Sequence, residues 1–155
     1  MSHVVDCNIV IKDLEAFKAA CEELGMEFRL NQKTWKWYGQ WVNDYDAQDA
    51  AYKAGIKPED YGKCVHAAAV KGDSSAYELG LVKNPKGEGF LLVFDFFGTE
   101  GRALQEKIGK NASKLKSEYG LKLLEKTAKK RGYKVEGVTR SKVGQVTAVN
   151  MVKKH

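Results

Sequence analysis

The chain predicts an α+β fold, with a mostly antiparallel sheet, a ferredoxin-like core with added strands, and helices packed on one face. Three observations predict it. Eight short segments have strand character and are separated by turn residues. Two longer segments, 14–24 and 102–131, carry apolar residues at helical spacing. The order β-α-β-β, then β-β-β-α-β-β, places strands beside strands rather than alternating them with helices.

Residues 3–11 open as a strand, because Val5, Cys7, Ile9 and Ile11 share one face. Asp13 caps the helix that follows. There Leu14, Phe17, Cys21 and Leu24 form one stripe, and Gly25 closes it. Residues 26–30 and 34–42 read as strands joined by the turn Asn31-Gln32-Lys33. A polar helical insertion is expected at about 43–63, with Asp46 as its cap, Gly55 as its end and Pro58 starting a further turn. Strands at 64–71, 76–83 and 89–97 follow, separated by Gly72–Ser75 and Asn84–Gly87. The run Phe90–Phe97 is almost continuously apolar, so that strand should be central.

In the long helical segment Leu104, Ile108, Ala112, Leu115 and Tyr119 make one stripe, which Leu123, Leu124 and Ala128 continue. An internal glycine costs about 1 kcal/mol against alanine, so a break is expected near Gly120. Gly132 ends the segment, and 133–140 pairs with 145–152 as a last hairpin. The 155 residues have the length of one domain, with no linker or repeat.

The net charge of +6 is unevenly spread. Residues 1–100 hold 11 Lys/Arg against 16 Asp/Glu, whereas 101–155 hold 15 against 4. A field polarised in this way favours anionic partners. The cysteines, Cys7, Cys21 and Cys64, are odd in number and well separated, as expected of reduced thiols in a cytoplasmic protein. No apolar run approaches the ~20 residues of a membrane span, and the N-terminus lacks signal-peptide character.

No catalytic constellation emerges. Cys64 and His66 should share a strand face, but side by side they lack a third orienting group. Asp44, Asp46 and Asp49 depart from calcium-loop spacing and suit helix capping, so no metal and no cofactor is expected. The turn Gly98-Thr99-Glu100-Gly101-Arg102 joins a strand to a helix start, where backbone N–H groups and an arginine suit phosphate. Trp35, Trp37 and Trp41 fall on one face of the expected strand and Tyr38 on the other, beside Arg29, Lys33 and Lys36. Such a face either stacks a base or packs as core. Lys107, Lys110, Lys114, Lys122, Lys126 and Lys129, with Lys130 and Arg131, load the long helix. They form either a solvated face or a nucleic-acid footprint.

Several segments resemble one family. They are Met1-Ser2-His3, Ile11–Glu15, Glu22–Gly25, Trp37–Gln40, Tyr77–Val82, Val93–Gly98 and Arg131–Val135. The family is the domain of unknown function 1257, small proteins of cyanobacteria, chloroplast genomes and tailed phages. The resemblance runs nearly the full chain, and its motifs are structural, so it carries over no catalytic residue. The insertion at 43–63 departs from the chloroplast-type members, and the lysine load resembles a phage member. It implies by analogy of class a phage protein in the host cytoplasm that sequesters a nucleotide signal of bacterial immunity.

The leading expectation is therefore a non-enzymatic protein, oligomeric, that holds a small phosphorylated nucleotide such as a cyclic dinucleotide or an ADP-ribose derivative. Trp37, Tyr38 or Trp41 would stack the base. Arg29, Lys33 and Arg102 would meet phosphate, with Gly98, Thr99 and Gly101 helping. One alternative is a nucleic-acid-binding accessory protein using the basic helix 102–131. Another is a protein–protein inhibitor of a host factor.

Overall fold

The computed structural model describes residues 5–38 and 55–154. The fold is α+β. Strand β1 (Val5–Ile11), helix α1 (Leu14–Glu23) and strand β2 (Met26–Arg29) lead into β3 (His66–Val70), β4 (Leu79–Lys83) and β5 (Phe90–Phe94). Helices α2 (Gly98–Ile108) and α3 (Ser113–Lys130) follow, then strands β6 (Tyr133–Arg140) and β7 (Val146–Lys153).

The five-stranded sheet has the order β1-β5-β4-β3-β2, and every neighbouring pair is antiparallel. β1 and β2 therefore run parallel at opposite edges. The β1-α1-β2 crossover spans the three strands that lie between its ends. The C-terminal strands do not return to this sheet but form a separate two-stranded hairpin.

Local chemistry sets the elements. The Asp13 carboxylate accepts from Ala16 N at 3.0 Å and starts α1. α1 then buries Phe17, Ala20 and Cys21 against the sheet. Burial also pushes the Cys21 thiol well above its usual range, so it is a packing group. On the helix side lie Leu79, Leu81, Leu92 and Phe94, together with Leu104, Ile108 and Leu115 of α2 and α3. The alternate residues Ala67, Leu91 and Val93 face the opposite side, where Trp35, Trp37, Ile56 and Tyr61 cover them. Both faces are thus dry, which explains the unbroken apolar run of β5.

The expected strand over 34–42 is not formed in its described part. Only Thr34 makes a ladder contact, with Lys63, and 39–42 lie outside the described residues. The backbone groups go elsewhere. Lys36 N donates to Glu78 Oε1 at 2.9 Å, Tyr38 N donates to Asp95 Oδ2 at 3.2 Å, and Glu78 N donates to Lys36 O at 3.0 Å. The segment is a strap across the sheet, fastened by two carboxylates. Of the insertion expected at 43–63, residues 43–54 lie outside the described residues. Pro58–Asp60 form a short 3-10 turn.

The long helical segment also differs from expectation. It starts at Gly98, and its break falls at 109–112 rather than near Gly120. Gly109 (φ 84°), Asn111 (φ 53°) and Ala112 (φ 57°) turn the chain through the left-handed region. Gly120 sits unbroken within α3, where a Cβ would meet nothing within 4 Å outside the helix backbone.

The β6–β7 hairpin lies against α3. Arg140 reaches the buried Glu118, Nε at 3.0 Å and Nη2 at 2.8 Å from Oε1, and Val146 N donates to Ser117 Oγ. Among the described residues, no helix is long and apolar enough to cross a membrane.

Candidate functional site: a basic groove at the helical connector

The break between α2 and α3 opens a wide groove of about 960 Å³. Arg102, Gln105 and Glu106 of α2 form one wall, and Ser113, Lys114 and Lys116 of α3 form another. Lys110 and Asn111 lie at the connector, and Val143 and Gln145 close it from the hairpin tip. Four cations face one carboxylate. Arg102, Lys110 and Lys116 have no ion-pair partner among the described residues, and Lys114 Nζ donates only to the Glu106 carbonyl at 3.2 Å. α3 begins here as well, so the positive end of its dipole adds to the field.

The cations expected as one helical footprint separate into three places. Lys110 and Lys114 line the groove. Lys107, Lys122 and Lys126 turn toward α1. Lys126 Nζ lies 2.8 Å from Asp13 and 3.0 Å from Glu15, and Lys122 lies 3.9 Å from Glu23. Lys107 Nζ sits beside Gly25, just beyond α1. The Lys126 ammonium holds the Asp13 carboxyl below its usual range, and the capped Ala16 N–H helps. Lys129 lines a smaller cleft at the hairpin base, with Tyr133, Lys134 and Lys154.

The expected nucleotide site is not assembled by the described residues. Trp37 is 4% exposed and Trp35 2%, so neither indole offers a face for stacking. Trp41 lies outside the described residues. Trp35 fills the space that the missing side chain of Gly80 leaves, since a Cβ there would stand 2.6 Å from the ring. Tyr38 is half-buried and packs on the exposed Phe97 at 4.4 Å. Arg29 is engaged by Glu78 at 3.0 Å and Glu27 at 3.5 Å on edge strand β2. Lys33 is exposed on the strap, where its carbonyl accepts from Cys64 N.

The turn at 98–102 is part of α2 rather than an open loop. Gly101 N donates to Phe97 O at 3.2 Å, and a Cβ at Gly101 would stand 2.2 Å from the Phe96 backbone. Gly101 therefore serves close packing. Burial, and then the carboxylates beside this turn, Asp95 and Glu100, push the Tyr77 hydroxyl up to about 12. Thr99 is exposed, and Arg102 alone of this turn reaches the groove.

Cys64 and His66 are engaged separately rather than with each other. Cys64 Sγ donates to Gln32 O at 3.1 Å and packs with the tryptophan cluster. His66 Nδ1 accepts from Asn31 N at 2.9 Å, and its ring lies between Phe28 and Phe90. Burial pushes the Cys64 thiol up to about 12, far from a reactive thiolate. Asp44, Asp46 and Asp49 lie outside the described residues, and among the described ones no group of three His, Cys, Asp or Glu could hold a metal ion.

Comparison with protein-family models, curated proteins and solved structures gives no match to this chain.

Proposed function

We propose that this protein binds nucleic acid through the phosphate backbone and does no chemistry on it. One observation carries the reading: Arg102, Lys110, Lys114 and Lys116 converge on a single open groove, while the neighbouring lysines of the same helix are occupied by α1 carboxylates. Free cations along an open channel suit a chain of phosphates, whose bound counterions they displace. A small nucleotide needs a more enclosed, mostly apolar pocket with a stacking wall. The described indoles are sealed on the far side of the sheet and do not provide one.

The test is fluorescence anisotropy with labelled 24-nucleotide single strands and 24-base-pair duplexes over a salt series. Four groove cations predict a log–log slope of about −3 to −4. No binding to any strand at low salt overturns the proposal. So does calorimetry in which a cyclic dinucleotide or an ADP-ribose derivative binds more tightly than every polynucleotide, an outcome that restores the small-ligand reading.

A further inference from the structure

The hairpin β6–β7 has a free face that the groove alone does not explain. Val138 opposes Val149 in register, and Arg140 of the same strand grips Glu118 of α3, so one face backs onto the helix. The alternate cross-strand pairs point the other way. These are Gly137 with Asn150, and Thr139 with Ala148. These side chains are small or hydrogen-bonding, and all four residues are exposed. The Asn150 amide has no hydrogen-bond partner among the described residues, and Gly137 opposite leaves it unobstructed.

We propose that this hairpin is a two-stranded ribbon that enters the major groove of double-stranded DNA, with Thr139, Ala148 and Asn150 against the base edges. The proposal rests on nucleic-acid binding by the basic groove and names the class of nucleic acid. Three features support it. First, the B-form major groove, about 12 Å wide, admits a two-stranded ribbon, and asparagine, threonine and alanine suit its donors, acceptors and methyl groups. Second, the charge is complementary. Residues 129–154 hold eight Lys/Arg and one acidic residue, Glu136. Of the eight, only Arg140 is paired to a carboxylate among the described residues. Third, the ribbon tip at Val143 and Gln145 forms one wall of the basic groove, so the ribbon adjoins the groove cations Lys110 and Lys114. Register shifts at 135/137 and 139/140 add local twist to the ribbon. The outward face holds no aromatic side chain, which argues against stacking on single strands. The A-form RNA major groove is too deep and narrow for side chains to read.

Anisotropy with a 24-base-pair DNA duplex, the matching RNA duplex and the single strand tests this on the intact protein. The DNA duplex should bind about tenfold more tightly than the other two. The double variant Thr139→Glu/Asn150→Glu should lose about tenfold on duplex DNA and hold single-strand affinity, with an unchanged circular dichroism spectrum. Methylation at guanine N7, which lies in the major groove, should interfere with binding. Equal or tighter binding of duplex RNA, interference confined to adenine N3, or an undiminished double variant each overturns the ribbon. In those cases Lys110→Glu/Lys114→Glu still weakens binding and lowers its salt slope by about two if the groove reading stands. Absence of binding to all three probes sinks both.

Discussion

At the scale of single residues, the most informative positions are those where a missing or buried group fixes its neighbours. Gly80 lies in a central strand, where a side chain is normally an advantage, yet Trp35 lies over it so closely that a Cβ would meet the indole at 2.6 Å. The ring is fully enclosed and has no room to retreat. Gly80→Ala should therefore destabilise the fold by about 2 kcal/mol, as overpacking of a dense core does, readable as a lower urea midpoint at constant slope. His66 makes a different prediction. Burial, and to a lesser degree the Lys33 ammonium, hold its imidazole below the usual value. The neutral ring also supplies the acceptor for Asn31 N. The unfolded chain thus takes up the proton first. Stability is full above the free imidazole value of about 6.5 and falls as pH drops from there toward the lower folded value. Urea midpoints should decline between pH 7.5 and 5.5, and His66→Gln should flatten that decline. An equal decline in the variant would assign the proton to another group.

At the scale of elements, α3 separates what a glycine permits from what it dictates. Gly120 is exposed in mid-helix with open space around it, so it neither kinks the helix nor packs. Gly120→Ala should raise stability by about 1 kcal/mol by removing backbone freedom from the unfolded chain, and thermal unfolding measures it. The same comparison explains what was legible in the sequence. Strands β1 to β7 were readable because alternation or short apolar runs bounded by turn residues are local properties, and β3 and β5 read as runs because both of their faces are buried. The helix break was misplaced because Gly109, Asn111 and Ala112 adopt left-handed conformations for the sake of packing between α2 and α3, which no local pattern reports. The strap at 34–38 passed for a strand because alternate tryptophans mimic strand periodicity. What makes it a strap is Glu78 and Asp95, 42 and 57 residues downstream of the N–H groups they hold. Of the candidate site, the lysine run was visible and its division was not, since the acids that occupy Lys122 and Lys126 come from α1, more than 90 residues earlier.

At the scale of the whole molecule, that division turns one basic segment into two devices. The acidic N-terminal part and basic C-terminal part meet where α3 lies on α1. There charge serves assembly, with Tyr119 Oη adding hydrogen bonds from Lys12 N and Asp13 N at 3.2 Å each. Past the end of that contact, the excess of cations lines the groove. The two roles should separate under charge reversal. Lys110→Glu/Lys114→Glu removes groove cations without breaking a described ion pair, so the urea midpoint should hold while the salt slope of DNA binding shrinks by about two. Lys122→Glu/Lys126→Glu instead sets like charges against Asp13, Glu15 and Glu23. It should lower the urea midpoint while leaving the slope of the still-folded protein nearly intact. The comparison belongs at about 0.15 M salt, where the screening length is about 8 Å and a change of net charge far from the groove is muted. If both double variants reduced binding alike at that salt with equal midpoints, α3 would be acting as one undivided cationic face, and the assignment of the groove as the phosphate site would fall.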